Sequence, residues 1–238
     1  MRFFYAFWLS FNMLTIFPIF KIHTFFKGIN GYSAMFYPLI GVILGTMLYM
    51  ASKLGNAFFD PTYVSVIIFA LWVLFSGAIH LDGFSDTIDG IFVDKNRSLE
   101  VMKDPHVGTM GMIFSVVFLM LKLFALMHIK DFSALVVVLM LSRLNATIAI
   151  YFFNYISSGV GMLIKEELKP WMVFIAVFLS FVVSALFNLF YLLPISLATL
   201  FIVGKFFQTR YGGLNGDMYG FIIEFSELMM LNALIVKL

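Results

Sequence analysis

Between its charged breaks the chain divides into apolar runs near residues 33–51, 61–81, 109–129, 133–153, 171–191, 193–208 and 218–236. Most reach or approach the ~20 residues that an α-helix needs to cross a ~30 Å hydrocarbon core. The pattern predicts an all-α, polytopic integral membrane protein of about seven transmembrane helices. The opening MRFFYAFWLSFNMLTIFPIF adds an N-terminal apolar segment. It looks like a signal peptide but lacks a small-x-small cleavage site, and Pro18 ends it. We read it as retained, either spanning or lying in the interface. The breaks fall at 21–32, 52–60, 82–108, 130–132, 154–170, 191–194 and 209–217, without internal repeat or low-complexity tail. Residues 1–238 therefore read as a single membrane-embedded domain. One break, 82–108, is the longest and carries more acid than any other, and long loops are where function concentrates.

Composition sharpens this picture. Hydrophobic residues make up 62% of the chain and charged residues 12%, against about half and a quarter in soluble domains. A net charge of +2, with no basic patch interleaved with aromatics, excludes nucleic acid as a partner and leaves the lipid bilayer. The absence of cysteine removes disulfides, thiolate metal sites and cysteine nucleophiles together. Lys21, Lys27, Lys95, Arg97, Lys103, Lys165, Lys169, Lys205 and Arg210 fall on one face of the predicted bundle, and only Lys53, Lys130 and Lys237 on the other. That bias makes the first face cytoplasmic, and it places the long acidic loop and the glycine-rich segment 209–217 on the same side.

Three segments carry the candidate chemistry. In His80-Leu81-Asp82-Gly83-Phe84-Ser85-Asp86-Thr87-Ile88-Asp89-Gly90 the aspartates are spaced i, i+4, i+7. A continuing helix puts these carboxylates on one stripe, where they repel unless a cation lies among them. Oxygen-only donors suit Mg²⁺ or Mn²⁺, and Mg²⁺ is commonly held by one or two carboxylates completed by substrate phosphates. Gly77, Gly83 and Gly90 would admit a neighbouring backbone or ligand. The bland alternative is a solvated helix end with incidental acids, although such stripes usually mix in lysine and none occurs between residues 80 and 94. In the second segment, Lys103-Asp104-Pro105-His106-Val107-Gly108-Thr109-Met110-Gly111, Asn96 is placed to cap a short helix from Arg97 to Lys103 that swings Asp104 toward the first cluster.

The third segment is Tyr211-Gly212-Gly213-Leu214-Asn215-Gly216-Asp217-Met218-Tyr219-Gly220, followed by Glu224 and Glu227. Its glycines, Gly212, Gly213 and Gly216, allow a turn whose backbone N–H groups cradle phosphate near a helix start. Asp217, Gly220, Glu224 and Glu227 share one helical stripe, and the glutamates fall within an apolar span, where ionised groups are paired or functional. Lys122 and Arg143 lie near the middle of adjacent spans. They either snorkel or neutralise Glu224 and Glu227, or they grip a diphosphate, for which arginine offers a bidentate fork. His23, His106 and His128 have no assigned role.

The segment HLDGFSDTIDGIF…MKDPHVGTMG resembles the signature of the cobalamin synthases, which reads close to HLDGLADTxDG…MKDSxxGTxG. The resemblance extends to FYPLIGVILG at 36–45, to Lys122, to Ser142-Arg143 and to GGLNGDMYGFIIEFSE at 212–227, in the family's order and over nearly the whole chain. One departure is Leu14-Thr15-Ile16-Phe17-Pro18, where members commonly carry Thr-Arg-x-Pro. The resemblance implies transfer of the phosphocobinamide of adenosylcobinamide-GDP to α-ribazole or its 5′-phosphate. Adenosylcobalamin or its phosphate and GMP are the products, Mg²⁺ is the cofactor, and the site faces the cytoplasm in a bacterial or archaeal inner membrane. Under that reading Asp82, Asp86 and Asp217 hold metal, and Asp89 is the general base with His80 as its rival. Asp104, Lys122, Arg143, Gly212, Gly213, Gly216, Glu224 and Glu227 contact substrate. Assembly into a homo-oligomer is left open. Two other classes remain in view. CDP-alcohol phosphotransferases use similar aspartates but require an arginine that Asp82-Gly83-Phe84-Ser85-Asp86 lacks. A cation-coupled transporter would use Glu224, Glu227 and Lys122 as an ion path.

Overall fold

The computed structural model describes all residues except Pro18, Thr24, Lys237 and Leu238. The expected end of the N-terminal segment at Pro18 and the positive charge at Lys237 lie outside the described residues. Eleven helices make up the described chain: α1 (Arg2–Leu14), α2 (Ile29–Gly55), α3 (Pro61–Phe75), α4 (Ile79–Ile91), α5 (Lys95–Val101), α6 (Thr109–His128), α7 (Ala134–Phe152), α8 (Val160–Glu167), α9 (Pro170–Leu186), α10 (Leu192–Tyr211) and α11 (Gly216–Ile235). Five of them (α2, α6, α7, α10 and α11) are long and apolar enough to cross a membrane, and two bent pairs, α3 with α4 and α8 with α9, bring the count to as many as seven.

Helix α7 is the axis of the bundle. Every residue from Ala134 to Ile150 is buried, the polar Ser142, Arg143, Asn145 and Thr147 among otherwise apolar side chains. Its closest neighbour is α2, where Gly41 and Gly45 repeat at i, i+4. A Cβ on Gly45 would lie 2.5 Å from Val136 Cα, so the helix backbones meet as small-xxx-small pairs do in membranes. The outer helices turn large apolar side chains outward, among them Val116, Met120 and Phe124 on α6 and Phe174 and Phe178 on α9. In lipid such a surface has nothing to hide from.

Three features differ from the expectations. The run 61–81 is broken at Ser76-Gly77-Ala78, where Gly77 and Ala78 both take positive φ (63° and 54°) and α4 leaves α3 at 81°. The aspartates thus sit on a new helix rather than on a continuing one, and their i, i+4, i+7 spacing survives within it. The break 154–170 contains α8, which meets α9 at 93°. Lys165 Nζ in α8 donates to the carbonyls of Ile150, Tyr151 and Phe153 at 2.7–3.3 Å, satisfying the orphan end of α7. Glu167 Oε2 accepts from Asn30 N at the start of α2, 2.9 Å away. Helix α5 begins at Lys95 with Asp94 as its N-cap residue, not Asn96, because the Asp94 carbonyl accepts the N–H groups of Arg97 and Ser98.

Helix α1 packs against the start of α2. At roughly 20 Å it is too short to cross the hydrocarbon core. Phe3 packs on Tyr32 and Phe36, Ser10 Oγ donates to the Ser33 carbonyl, and Tyr37 reaches Met13. Along nearly its whole length α1 therefore meets only the first turns of α2.

Candidate active site

The site end of the bundle is where α4 packs on the start of α11. Glycines make the approach possible: a Cβ on Gly83 would lie 2.9 Å from the Asp217 carbonyl oxygen, and one on Gly220 would lie 2.9 Å from that of His80. Asp82 is exposed on α4, Asp86 follows one turn later and is half-buried, and Asp217 stands in the first turn of α11. A carboxylate there is favoured by the helix dipole. Asn215 fixes this turn from both sides, accepting from Met218 N and donating through Nδ2 to Asp217 Oδ2, each at 2.9 Å. At the other end of α4, Arg210 Nη2 donates to the Ile91 carbonyl at 3.0 Å, a cation on the negative pole of a helix.

Between these helices and the centre of the bundle lies a cavity of about 380 Å³. Asp82, Gly83, Gly216 and Asp217 stand along it together with His80, Tyr37, Tyr155 and Tyr219, and the remaining walls are largely apolar. His80 Nδ1 and the Tyr219 hydroxyl are buried and have no partner among the described residues. Tyr155 comes from the loop after α7, which is tied to the glycine-rich segment by Leu214 N to Asn154 O (2.8 Å) and Ile156 N to Leu214 O (3.0 Å). Burial holds the Tyr155 phenol above its usual pKa, so it remains a neutral hydroxyl.

The other expected residues take different places. Both oxygens of Asp89 accept backbone N–H groups, from Gly108 at 2.9 Å and Gly111 at 2.7 Å, which fastens the turn leading into α6. Asp104 does not swing toward the aspartates. It is exposed beside His106, whose backbone N–H and ring nitrogen both bond it and hold its carboxyl below the usual range. Gly212 (φ 86°) ends α10 in the left-handed conformation, and Gly213 packs on the Asn154 backbone; of the three loop glycines only Gly216 borders the cavity.

Lys122, Arg143, Glu224 and Glu227 form one buried cluster joining α6, α7 and α11. Lys122 Nζ donates to Glu224 at 2.6 Å and Glu227 at 2.5 Å, Arg143 bonds the other oxygen of Glu227, and the ammonium lies 4.3 Å from the Trp72 ring centroid. Two cations meet two carboxylates with almost no exposure, and none of the four lines the cavity. Substrate contact through these residues is therefore not what the geometry offers; charge compensation between helices is.

Among the described residues no three His, Asp or Glu side chains converge to cage a metal by themselves. One or two carboxylates completed by phosphate oxygens is a donor set that Mg²⁺ accepts, and Asp82 and Asp217, on abutting helices beside one cavity, fit it.

The profile of the family described as cobalamin-5-phosphate synthase matches residues 6–235. The chain belongs to that family. Similar proteins include the adenosylcobinamide-GDP ribazoletransferases of Thermosynechococcus vestitus (35% identical, 86% of each chain covered), Desulfitobacterium hafniense (32%, 94% of each) and Acinetobacter baumannii (30%, 97% of each). No solved structure matches. Membership makes the chain a transferase of the last steps of cobalamin biosynthesis. The resemblance drawn from HLDGFSDTIDG and GGLNGDMYG is thus confirmed at the level of the family. What the motif spacing could not reveal is the cavity: Tyr37, Tyr155 and Tyr219 come from α2, a loop and α11, with no local pattern linking them.

Proposed function

We propose that the chain transfers the phosphocobinamide of adenosylcobinamide-GDP to α-ribazole or its 5′-phosphate, releasing GMP, at the junction of α4 and α11. One observation carries this reading: Asp82 and Asp217, from segments more than a hundred residues apart, open on one cavity beside a buried imidazole that lacks a partner. Asp82, Asp217 and, one turn away, Asp86 would hold Mg²⁺ against the diphosphate, and the ion when bound supplies charge neutralisation. His80 takes the role of general base, since both oxygens of Asp89 are engaged by backbone amides. Its Nδ1 accepts the proton of the ribose hydroxyl. The hydroxyl oxygen forms a bond to the phosphorus attached to cobinamide, and the bond from that phosphorus to the GMP oxygen breaks. Lys122, Arg143, Glu224 and Glu227 keep α6, α7 and α11 in register behind the site.

The site end is assigned to the cytoplasmic side of the inner membrane. Lys53 and Lys130 line a shared recess with Asp131 at the opposite end of the bundle, whereas Lys103, Lys165, Arg210 and the site loops gather here. Inverted membrane vesicles given adenosylcobinamide-GDP, α-ribazole and Mg²⁺ are expected to release GMP and form adenosylcobalamin, and right-side-out vesicles are not. Product formation only in right-side-out vesicles would reverse the orientation. No product in either, or in detergent with any divalent ion, would remove the reaction.

A further inference from the structure

The cavity beside Asp82 and Asp217 is made for a different part of the chemistry than the carboxylates are. Its volume of about 380 Å³ lies at the small end of the ~300–1,000 Å³ typical of small-molecule sites. That is room for one nucleoside and far too little for a corrin ring. The walls are mainly aliphatic, with Ile150 and Ile223 facing three tyrosines, and the Tyr155 and Tyr219 rings are nearly parallel (17° between planes). Such a lining suits a flat, apolar ring system.

Its polar content is small and specific. The Tyr219 hydroxyl and His80 Nδ1 are the two buried side-chain atoms along these walls without a partner among the described residues, and the carboxylates stand at the α4–α11 end. A guanine base presents donors and acceptors along two edges and would strand most of them against isoleucine. The dimethylbenzimidazole base of α-ribazole presents two methyl groups and, beyond its glycosidic nitrogen, a single ring nitrogen that accepts one hydrogen bond. We propose that this cavity binds the α-ribazole base, with the Tyr219 hydroxyl donating to its free ring nitrogen and the ribose directed toward His80 and Asp217, while the GDP moiety stays outside. The proposal rests on the ribazole-transfer reading and deepens it by dividing the two substrates between cavity and carboxylate rim.

The division is testable by measuring the two affinities separately on purified protein in nanodiscs. Val160 and Ala146 also line the cavity; Val160 is exposed, so Val160→Trp narrows the space without disturbing the core, and Ala146→Leu fills it from within. Each is expected to weaken α-ribazole binding about tenfold or more and to leave adenosylcobinamide-GDP binding unchanged. Tyr219→Phe should weaken α-ribazole binding about fivefold. On the unmodified protein, free dimethylbenzimidazole should compete with α-ribazole, and guanosine should not. If the filling variants instead weaken adenosylcobinamide-GDP binding, or guanosine competes with α-ribazole, the assignment is overturned while the reaction stands. If the unmodified protein binds neither substrate, the reaction itself fails.

Discussion

Asp82→Asn and Asp86→Asn are each expected to lower turnover about 10²-fold or more while the protein still inserts and folds. The two residues are exposed and half-buried, and neither side chain is hydrogen-bonded to another element among the described residues, so their removal costs the fold little. What they supply is negative charge on one stripe of α4, held close to Asp217 by the Gly83 contact. Asparagine keeps the shape and removes that charge, so the loss falls on the transition state, where phosphoryl charge must be neutralised. Raising Mg²⁺ should recover part of the activity in at least one variant. Steady-state rates over a Mg²⁺ series, with thermal stability measured beside them, decide the matter. Near-normal turnover in both variants would return the stripe to a solvated helix end.

Glu227→Gln is expected to cost about 3–5 kcal/mol of stability, because it leaves Arg143 and half of Lys122 uncompensated in a dry interior. Glu227 is fully buried and, among the described residues, is the one that bonds both cations. Among the described residues Glu224 pairs with Lys122 but not with Arg143, so Glu224→Gln should be milder. Thermal unfolding in detergent orders the two. Arg143→Lys provides the contrast between the two readings of the arginine. As a compensating charge it should tolerate lysine with nucleotide affinity intact; a diphosphate fork would lose that affinity at unchanged stability.

The sequence made some of this legible and hid the rest for physical reasons. The spans were readable because a bilayer demands long apolar helices, and α6, α7, α10 and α11 lie within a few residues of their predicted runs. The aspartate stripe was readable because its spacing is local. The turn between α3 and α4 was not: Gly77 hinted at it, but Ala78 in a left-handed conformation carries no compositional mark, and apolar residues continue on both sides. Nor could spacing show that Asp89 binds amides 19 and 22 residues away, or that Lys122 pairs with glutamates more than a hundred residues on. Those contacts depend on how helices dock. The clue to the buried cluster was polar residues, Ser142, Arg143, Asn145 and Thr147, inside an otherwise apolar run, which required partners without naming them.

The central claim is that carboxylates from α4 and α11 act as one site, and a double-mutant cycle on Asp82→Asn and Asp217→Asn tests it most directly. Groups that act as a unit lose function non-additively. The account predicts that the double variant turns over about as slowly as the worse single variant, with ΔΔG‡ well short of the sum. Fully multiplicative losses would mean that the two aspartates work independently, and the composite site would be wrong.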